Sequence, residues 1–386
     1  MPSKLALWHV IAMAAVLVIA LKEILPSPYH PDRTPKMNDI PPRIAALFEK
    51  TRPVCFGRFM IDIPEKARLI WGPARLSYDL NVYPDGGPVL GAQIKAAVDK
   101  ITSEQHRTEP SMLIGVFDSV NPDSKIVVGY SHSYNDGYAD YYSYIRLGKT
   151  AFVQKIIEEG LIILDKSAQY GYRDDKMAYK ETVEDLRDLA RRLRLRAENE
   201  APLEPGVCIQ EGFVSAGLEF KELELISVGF RFPEYPDVSL SVQTWSTDEP
   251  NEEDTLEAYL ERGRKRAGAL GLSELYKLIR TIRKGDRVIG PWEGAEVLGR
   301  MPGQEGGPST HEFVFMSKGV GNDYIRPSIT LRFYTGVKEN EKASVSPSLD
   351  NDEAVALWDK LTSTIRARPT AEKAAEEKAT EEKAPW

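Results

Sequence analysis

From Ala74 to Tyr83 the chain alternates strictly, with Leu76, Tyr78, Leu80 and Val82 on one side and Arg75, Ser77, Asp79 and Asn81 on the other. That two-residue period predicts a strand with one covered face. Further strand-like runs fall at residues 55–63, 69–71, 112–120, 125–134, 138–147 and 151–158. Ile94, Val98 and Ile101 recur at helical spacing between them, and Val183, Leu186, Ala190 and Leu193 close the stretch as an amphipathic helix. A short helix begun by Pro41-Pro42 and carrying Ile44, Leu47 and Phe48 precedes it, since proline is tolerated in a first helical turn.

The order then repeats. Strands are expected at 212–216, 224–232 and 238–245. A helix follows over 255–270 with Leu256, Tyr259, Leu260 and Ala267 on one side. Strands are again expected at 275–283, 288–299, 311–316 and 328–334, before a closing helix carrying Ala354, Leu357, Trp358, Leu361 and Ile365. Between the repeats, Glu198 to Pro205 (ENEAPLEP) breaks both periodicities. Strands in runs, with few helices, argue against a parallel βαβ sheet. The fold class is therefore α+β, with two similar domains at 41–200 and 204–368, each a largely antiparallel sheet packed with about two helices. Residues 369–386 form a charged low-complexity tail.

Each half opens on a Val-Cys dipeptide, Val54-Cys55 and Val207-Cys208, and these are the chain's two cysteines. Ahead of them Lys4 precedes an apolar run over residues 5–21, followed by a linker with Pro26, Pro28, Pro31 and Pro35. Residues 1–25 thus read as a cleaved signal peptide or an uncleaved signal anchor, and 26–40 as a Pro-rich linker, placing the rest outside the cytoplasm. Such a compartment permits one disulfide, Cys55 to Cys208, worth about 5 kcal/mol for so long a loop in the chain-entropy model. The other reading makes each cysteine a small buried hydrophobe at the start of its own core strand.

With 386 residues, 42% hydrophobic and 28% charged, the chain is long enough for two cores. Its net charge of −8 disfavours nucleic acid as a partner, because phosphate binding needs clustered Lys and Arg. Of five histidines, His9 lies in the apolar segment and His30 in the linker. His106, His132 and His311 show no metal-ligand spacing, and His311 alternates with Phe313 and Phe315 as on a strand face. Gly129-Tyr130-Ser131-His132-Ser133 lacks the final glycine of a nucleophile elbow, and no phosphate loop occurs. No catalytic residue, metal or cofactor is assigned. Six tyrosines, Tyr130, Tyr134, Tyr138, Tyr141, Tyr142 and Tyr144, crowd around Asn135-Asp136-Gly137. Asp-Gly predicts a tight hairpin turn there, and the tyrosines with Asp136 make a candidate partner-binding surface. Cross-strand aromatic pairing that merely stabilises the hairpin is the competing explanation.

The segments Arg-Pro-Val-Cys-Phe-Gly-Arg-Phe-Met-Ile-Asp-Ile-Pro (Arg52 to Pro64) and Pro-Gly-Val-Cys-Ile-Gln-Glu-Gly-Phe (Pro205 to Phe213) resemble the domain openings of a known family. That family comprises the immunity proteins that neutralise type VI secretion lipase effectors of the fourth class. The resemblance implies a periplasmic, non-enzymatic binder of a cognate secreted lipase effector, acting on its active site or lid, with a possible membrane tether through residues 5–21. Two other classes are weighed against it. An envelope hydrolase would use carboxylates among the chain's many Asp and Glu, or Ser131 with His132, which point to opposite faces as strand neighbours. An envelope ligand-binding protein, for glycan or lipid, would use the tyrosine hairpin.

Overall fold

The computed structural model describes residues 40–157, 178–217, 223–303, 307–337 and 345–370, without the side chains of 135–137 and 178. The expected N-terminal apolar segment and most of the linker and tail lie outside them. In the first half the elements are α1 (Pro42–Leu47), β1 (Thr51–Phe56), β2 (Phe59–Pro64), β3 (Arg68–Leu76), β4 (Tyr78–Tyr83), α2 (Leu90–Ser103), β5 (Leu113–Asp118), β6 (Lys125–His132), β7 (Asn135–Leu147), β8 (Thr150–Ile156), α3 (Ala178–Arg192) and β9 (Leu193–Leu195). The second half runs β10 (Gly206–Ile209), β11 (Gly212–Ser215), β12 (Glu224–Phe232), β13 (Tyr235–Trp245), α4 (Leu256–Ala269), α5 (Ser273–Lys277), β14 (Arg280–Ile289), β15 (Trp292–Met301), β16 (Thr310–Ser317), β17 (Ser328–Tyr334), α6 (Asn351–Thr362) and β18 (Arg366–Ala367).

Two compact units result, and neither is continuous in sequence. Among the described residues, the first draws on 40–72, 199–203, 223–303, 307–337 and 345–370, the second on 73–157, 178–198 and 204–217.

In the first unit, β14-β15-β16-β17-β13-β12 form an antiparallel sheet. Alternation gives the sheet two apolar faces. One is covered by α4 and α5, where Leu260, Ala267, Tyr276 and Ile279 cluster with Val297, Val314 and Met316. On the other, Trp358 of α6 sits edge-on to Phe313 and Phe333 at 6.1 and 6.3 Å. A capping box starts α6, with Asp350 accepting from the Glu353 amide and the Glu353 carboxylate accepting from the Asp350 amide. Arg43 of α1 then donates to both Glu353 oxygens at 2.9 and 3.0 Å. The β1-β2 hairpin belongs to this unit. It is extended by β18, with Arg366 opposite Met60 and Ala367 opposite Phe59.

The second unit is built around β4-β8-β7-β6-β5, also antiparallel, with Ala74–Leu76 of β3 beside β4. Helix α2 packs Leu90 and Ile94 against Val127 and Ala151. Helix α3 packs Val183 and Leu186 against Ile126, Val128, Tyr141 and Ile156. The β10-β11 hairpin lies here and pairs with β9, Phe213 opposite Arg194.

Four expected elements differ. Residues 55–63 are a hairpin, because Gly57 takes a positive φ of 53° and turns the chain between Phe56 and Phe59. The 74–83 strand breaks at Ser77, whose φ is 56°. Residues 275–283 begin as α5, whose Leu275 and Tyr276 pack with α4, and become strand only at Arg280. The run at 288–299 turns at Gly290 (φ 54°), where a Cβ would come within 2.6 Å of the Ile365 carbonyl oxygen.

Candidate partner-binding surface

The tyrosine-rich hairpin is β6 and β7, and its turn is not where Asp-Gly predicts it. His132 pairs with Asn135, so Ser133 and Tyr134 make the turn, and Asp136-Gly137 lie within β7. The register shifts between the Tyr130–Ala139 and His132–Asn135 pairs, where one residue of β6 faces three of β7, so β7 bulges over 136–138. The two extra β7 residues leave Asp136-Gly137 inside the strand and the turn at Ser133-Tyr134.

Strand alternation then separates the six tyrosines. Tyr141 faces α3 opposite Val128 and is fully buried, so it serves the core and is unavailable to a partner. Burial pushes its hydroxyl up to about 12. Tyr130 packs half-buried against the same cluster, its ring stacked on His106 at 4.3 Å. Tyr142 and Tyr144 lie on the α2 face, stacked on each other at 6.3 Å and half-buried. Burial raises both hydroxyls, that of Tyr144 to about 12, so both remain protonated hydrogen-bond donors at neutral pH. Tyr134 and Tyr138 are the exposed members, at 69% and 38%. Tyr134 stacks on His132 at 5.5 Å, which restrains the turn. The Asp136 side chain lies outside the described residues. The hairpin therefore offers an aromatic rim of Tyr134 and Tyr138 backed by packed rings.

The same geometry separates Ser131 from His132. The Ser131 hydroxyl donates to Asp140 at 2.5 Å across the hairpin, while His132 stacks on Tyr134. Nucleophile and base are thus engaged with different partners. Among the described residues no group of three or more His, Cys, Asp or Glu could hold a metal ion.

Ionisable groups buried in the first unit are structural. His311 is held by Thr335 at 2.8 Å and Asn351 at 2.9 Å, and burial lowers its pKa. Glu312, next to it on β16, points to the opposite sheet face, where the Tyr259 hydroxyl donates to it at 3.5 Å. Burial lifts the Glu312 carboxyl to about 8. Glu296 accepts from Arg283 and Arg287, each at 2.6 Å, and from the Trp358 indole at 3.0 Å. These bonds tie α6 to β14 and β15.

Arg58, which the Cys-Phe-Gly-Arg-Phe motif contains, is 4% exposed. Its guanidinium donates to both Glu224 oxygens, the shortest bond 2.7 Å, and lies 4.2 Å from the Tyr324 ring centroid. Position in the motif is the one sequence signal for it, since an arginine in a hairpin turn ordinarily reads as exposed. Neither Cys55 nor Cys208 is a free thiol.

Comparison with known proteins agrees with this architecture. Residues 52–196 match the model of the Tle cognate immunity protein 4 N-terminal domain, and residues 200–370 that of the C-terminal domain. No curated protein matches the chain. Among solved structures, the apo immunity protein TplEi of the type VI secretion system from Pseudomonas aeruginosa superposes with a TM-score of 0.64 at 23% identity, covering 83% of this chain and 98% of its own. A chain of a Tle4-Tli4 complex gives 0.64 at 24% identity over 83% and 98%. TplEi with an "L" peptide gives 0.61 at 23% identity over 83% and 99%. These likenesses show the shared fold. With both domain models matched in order along the sequence, the chain belongs to the Tle cognate immunity protein 4 family.

Proposed function

We propose that this chain binds a type VI secreted phospholipase effector in the periplasm and inhibits it by occluding its active site or lid, so protecting the cell that makes it. The observation that carries this reading is the consecutive match to both immunity domains over residues 52–196 and 200–370. The complex in which Tli4 was solved with Tle4 supports it. Inhibition by occlusion needs a rigid surface and no catalytic group. The Tyr134 and Tyr138 rim supplies large, low-entropy aromatic area, the kind that dominates interface energetics. Lys4 and the apolar run 5–21, acting as a cleaved signal or as an anchor, support periplasmic placement. Sequestration of a membrane-degrading enzyme calls for nanomolar affinity, about 12 kcal/mol.

The test is titration of the purified cognate effector with this chain while phospholipid hydrolysis is followed. Activity should fall linearly to zero near one equivalent. Full hydrolysis in the presence of excess chain would refute inhibition, and absence of a complex on gel filtration would refute binding.

Cys55 and Cys208, the two cysteines of the chain, are proposed to bond each other, consistent with neither being a free thiol. Periplasmic protein denatured without reductant should then show no thiol by alkylation and mass measurement. Two alkylated cysteines would overturn the assignment.

A further inference from the structure

We propose that the α4-α5 corner of the first unit is a docking surface for an anionic phospholipid bilayer. Residues 262–280 contain six Lys and Arg against one acid, Glu274, in a chain whose net charge is −8. Part of that charge is spent locally, for Arg262 lies near Glu253, Arg264 and Lys265 near Glu261, and Lys277 near Glu274. Arg266 and Arg280 have no carboxylate within ion-pair distance among the described residues. The Lys265 and Lys277 side chains remain 75% and 56% exposed despite their pairing.

Two leucines stand out of the same corner. Helix α4 ends at Leu270, whose amide donates to the Arg266 carbonyl, and Gly271 (φ 71°) turns the chain toward α5. Inward-facing Leu260, Ala267, Tyr276 and Ile279 hold the corner on the sheet. Leu270 and Leu278 face out instead, 50% and 62% exposed. Arg266 and Leu270 are four residues apart along the helix and so share one face. Exposed aliphatic side chains cost free energy in water, and here they coincide with the most basic stretch of an acidic protein.

The residue types favour a membrane over a protein partner. Protein interface anchors are enriched in Trp, Tyr and Arg, with Leu under-represented. Leucines beside Lys and Arg are the composition that lies in a headgroup layer, the aliphatic groups in the acyl boundary and the cations among anionic headgroups. Each basic residue near such a surface strengthens binding about fivefold, by electrostatics that salt screens. This inference stands independently of which effector the chain binds.

Because residues 5–21 could carry the full chain onto any vesicle, the readout must be local to the corner. Hydrogen–deuterium exchange of the full chain is compared on vesicles of pure phosphatidylcholine and on vesicles holding about a third phosphatidylglycerol. Backbone amides of residues 268–279 should exchange at least about fivefold more slowly on the anionic vesicles, and 0.5 M salt should abolish most of the difference. Arg266→Glu with Arg280→Glu should remove it, as should Leu270→Ser with Leu278→Ser, all at exposed or half-exposed positions where folding is checked by circular dichroism. Equal exchange on both vesicles, or protection retained in the charge-reversed variant, overturns the proposal. Protection produced by an acidic partner protein and by neither vesicle overturns it in favour of a protein site.

Discussion

Replacing Glu312 by Gln should stabilise the protein at alkaline pH and leave it nearly unchanged in acid. Glu312 is 3% exposed on the α4 face of the first unit's sheet. Burial lifts its carboxyl from an ordinary 4.5 to about 8, with Arg332 and the Tyr259 hydroxyl only partly opposing. A group whose folded pKa lies above its unfolded value binds protons more tightly in the native state. Its contribution is therefore fully present below pH 4.5 and is lost as pH rises through about 8. Integrated from pH 5 to pH 8, the wild type should lose about 3–4 kcal/mol through this one group, an order-of-magnitude figure. Gln keeps the shape, cannot ionise, and escapes that loss. At roughly 2–4 °C per kcal/mol for a unit of this size, the melting temperature of E312Q should exceed that of wild type by about 5–15 °C at pH 8 and hardly at all at pH 5. Thermal unfolding at pH 5, 6.5 and 8, followed by tryptophan fluorescence, measures the difference. The reasoning fails if E312Q is the less stable protein at pH 8. That sign would mean Glu312 is ionised and paired with Arg332, whose stranding on mutation would cost about 3–5 kcal/mol.

Arg58→Ala should destabilise by about 3–5 kcal/mol, read as a lowered urea midpoint, because it leaves Glu224 buried without its bidentate partner; Arg58→Lys should recover only part, lacking the planar fork. Tyr134→Ala with Tyr138→Ala should raise the inhibition constant against the effector about thirtyfold or more without moving the melting temperature, whereas Tyr141→Ala should lower the melting temperature, its ring being core. Residues 204–368 produced alone should fail to show cooperative unfolding, and a fusion restoring residues 41–72 should recover it. A sharp melting transition in the isolated 204–368 segment would count against the hairpin being part of that unit.

The antiparallel α+β class and the two closing helices were legible because alternation and helical spacing report which faces are covered, and both sheets here are covered on two sides. The β12 pattern, buried and half-exposed at every second residue from Glu224 to Phe232, is the plainest case. Turns are less legible. Asp136-Gly137 carries a strong short-range turn signal, yet β7 bulges over 136–138 and the turn forms at Ser133-Tyr134. Local turn chemistry of a kcal/mol or so yields to a register that keeps Tyr141 and Val128 on the core face. Residues 275–283 are ambiguous for a related reason. Their apolar positions suit either a strand or a short helix, and packing of Leu275 and Tyr276 beneath α4 decides for helix. Within the tyrosine cluster, sequence located the hairpin but could not sort its rings, because sorting depends on that same register.

The paired Val-Cys openings take their meaning from the way each is closed. The β1-β2 hairpin, at the start of the first half, is extended by β18 from the end of the second, and the Arg368 amide donates to the Arg58 carbonyl at 2.9 Å. The β10-β11 hairpin, at the start of the second half, is extended by β9 from the end of the first, and the Arg196 amide donates to the Glu211 carbonyl at 3.0 Å. One device thus occurs twice: a closing helix, a short strand and a buried arginine seated on the turn of a hairpin that opens the other half of the sequence. The residues of the Cys-Phe-Gly-Arg-Phe motif are accordingly committed to the fold. Gly57 makes the turn, Phe56 and Phe59 are buried, and Arg58 is used up on Glu224. A motif whose side chains are all inside cannot distinguish one partner from another. The segment that marks the family therefore specifies the scaffold, and discrimination between effectors must rest on exposed positions outside it, of which Tyr134 and Tyr138 are the first to test.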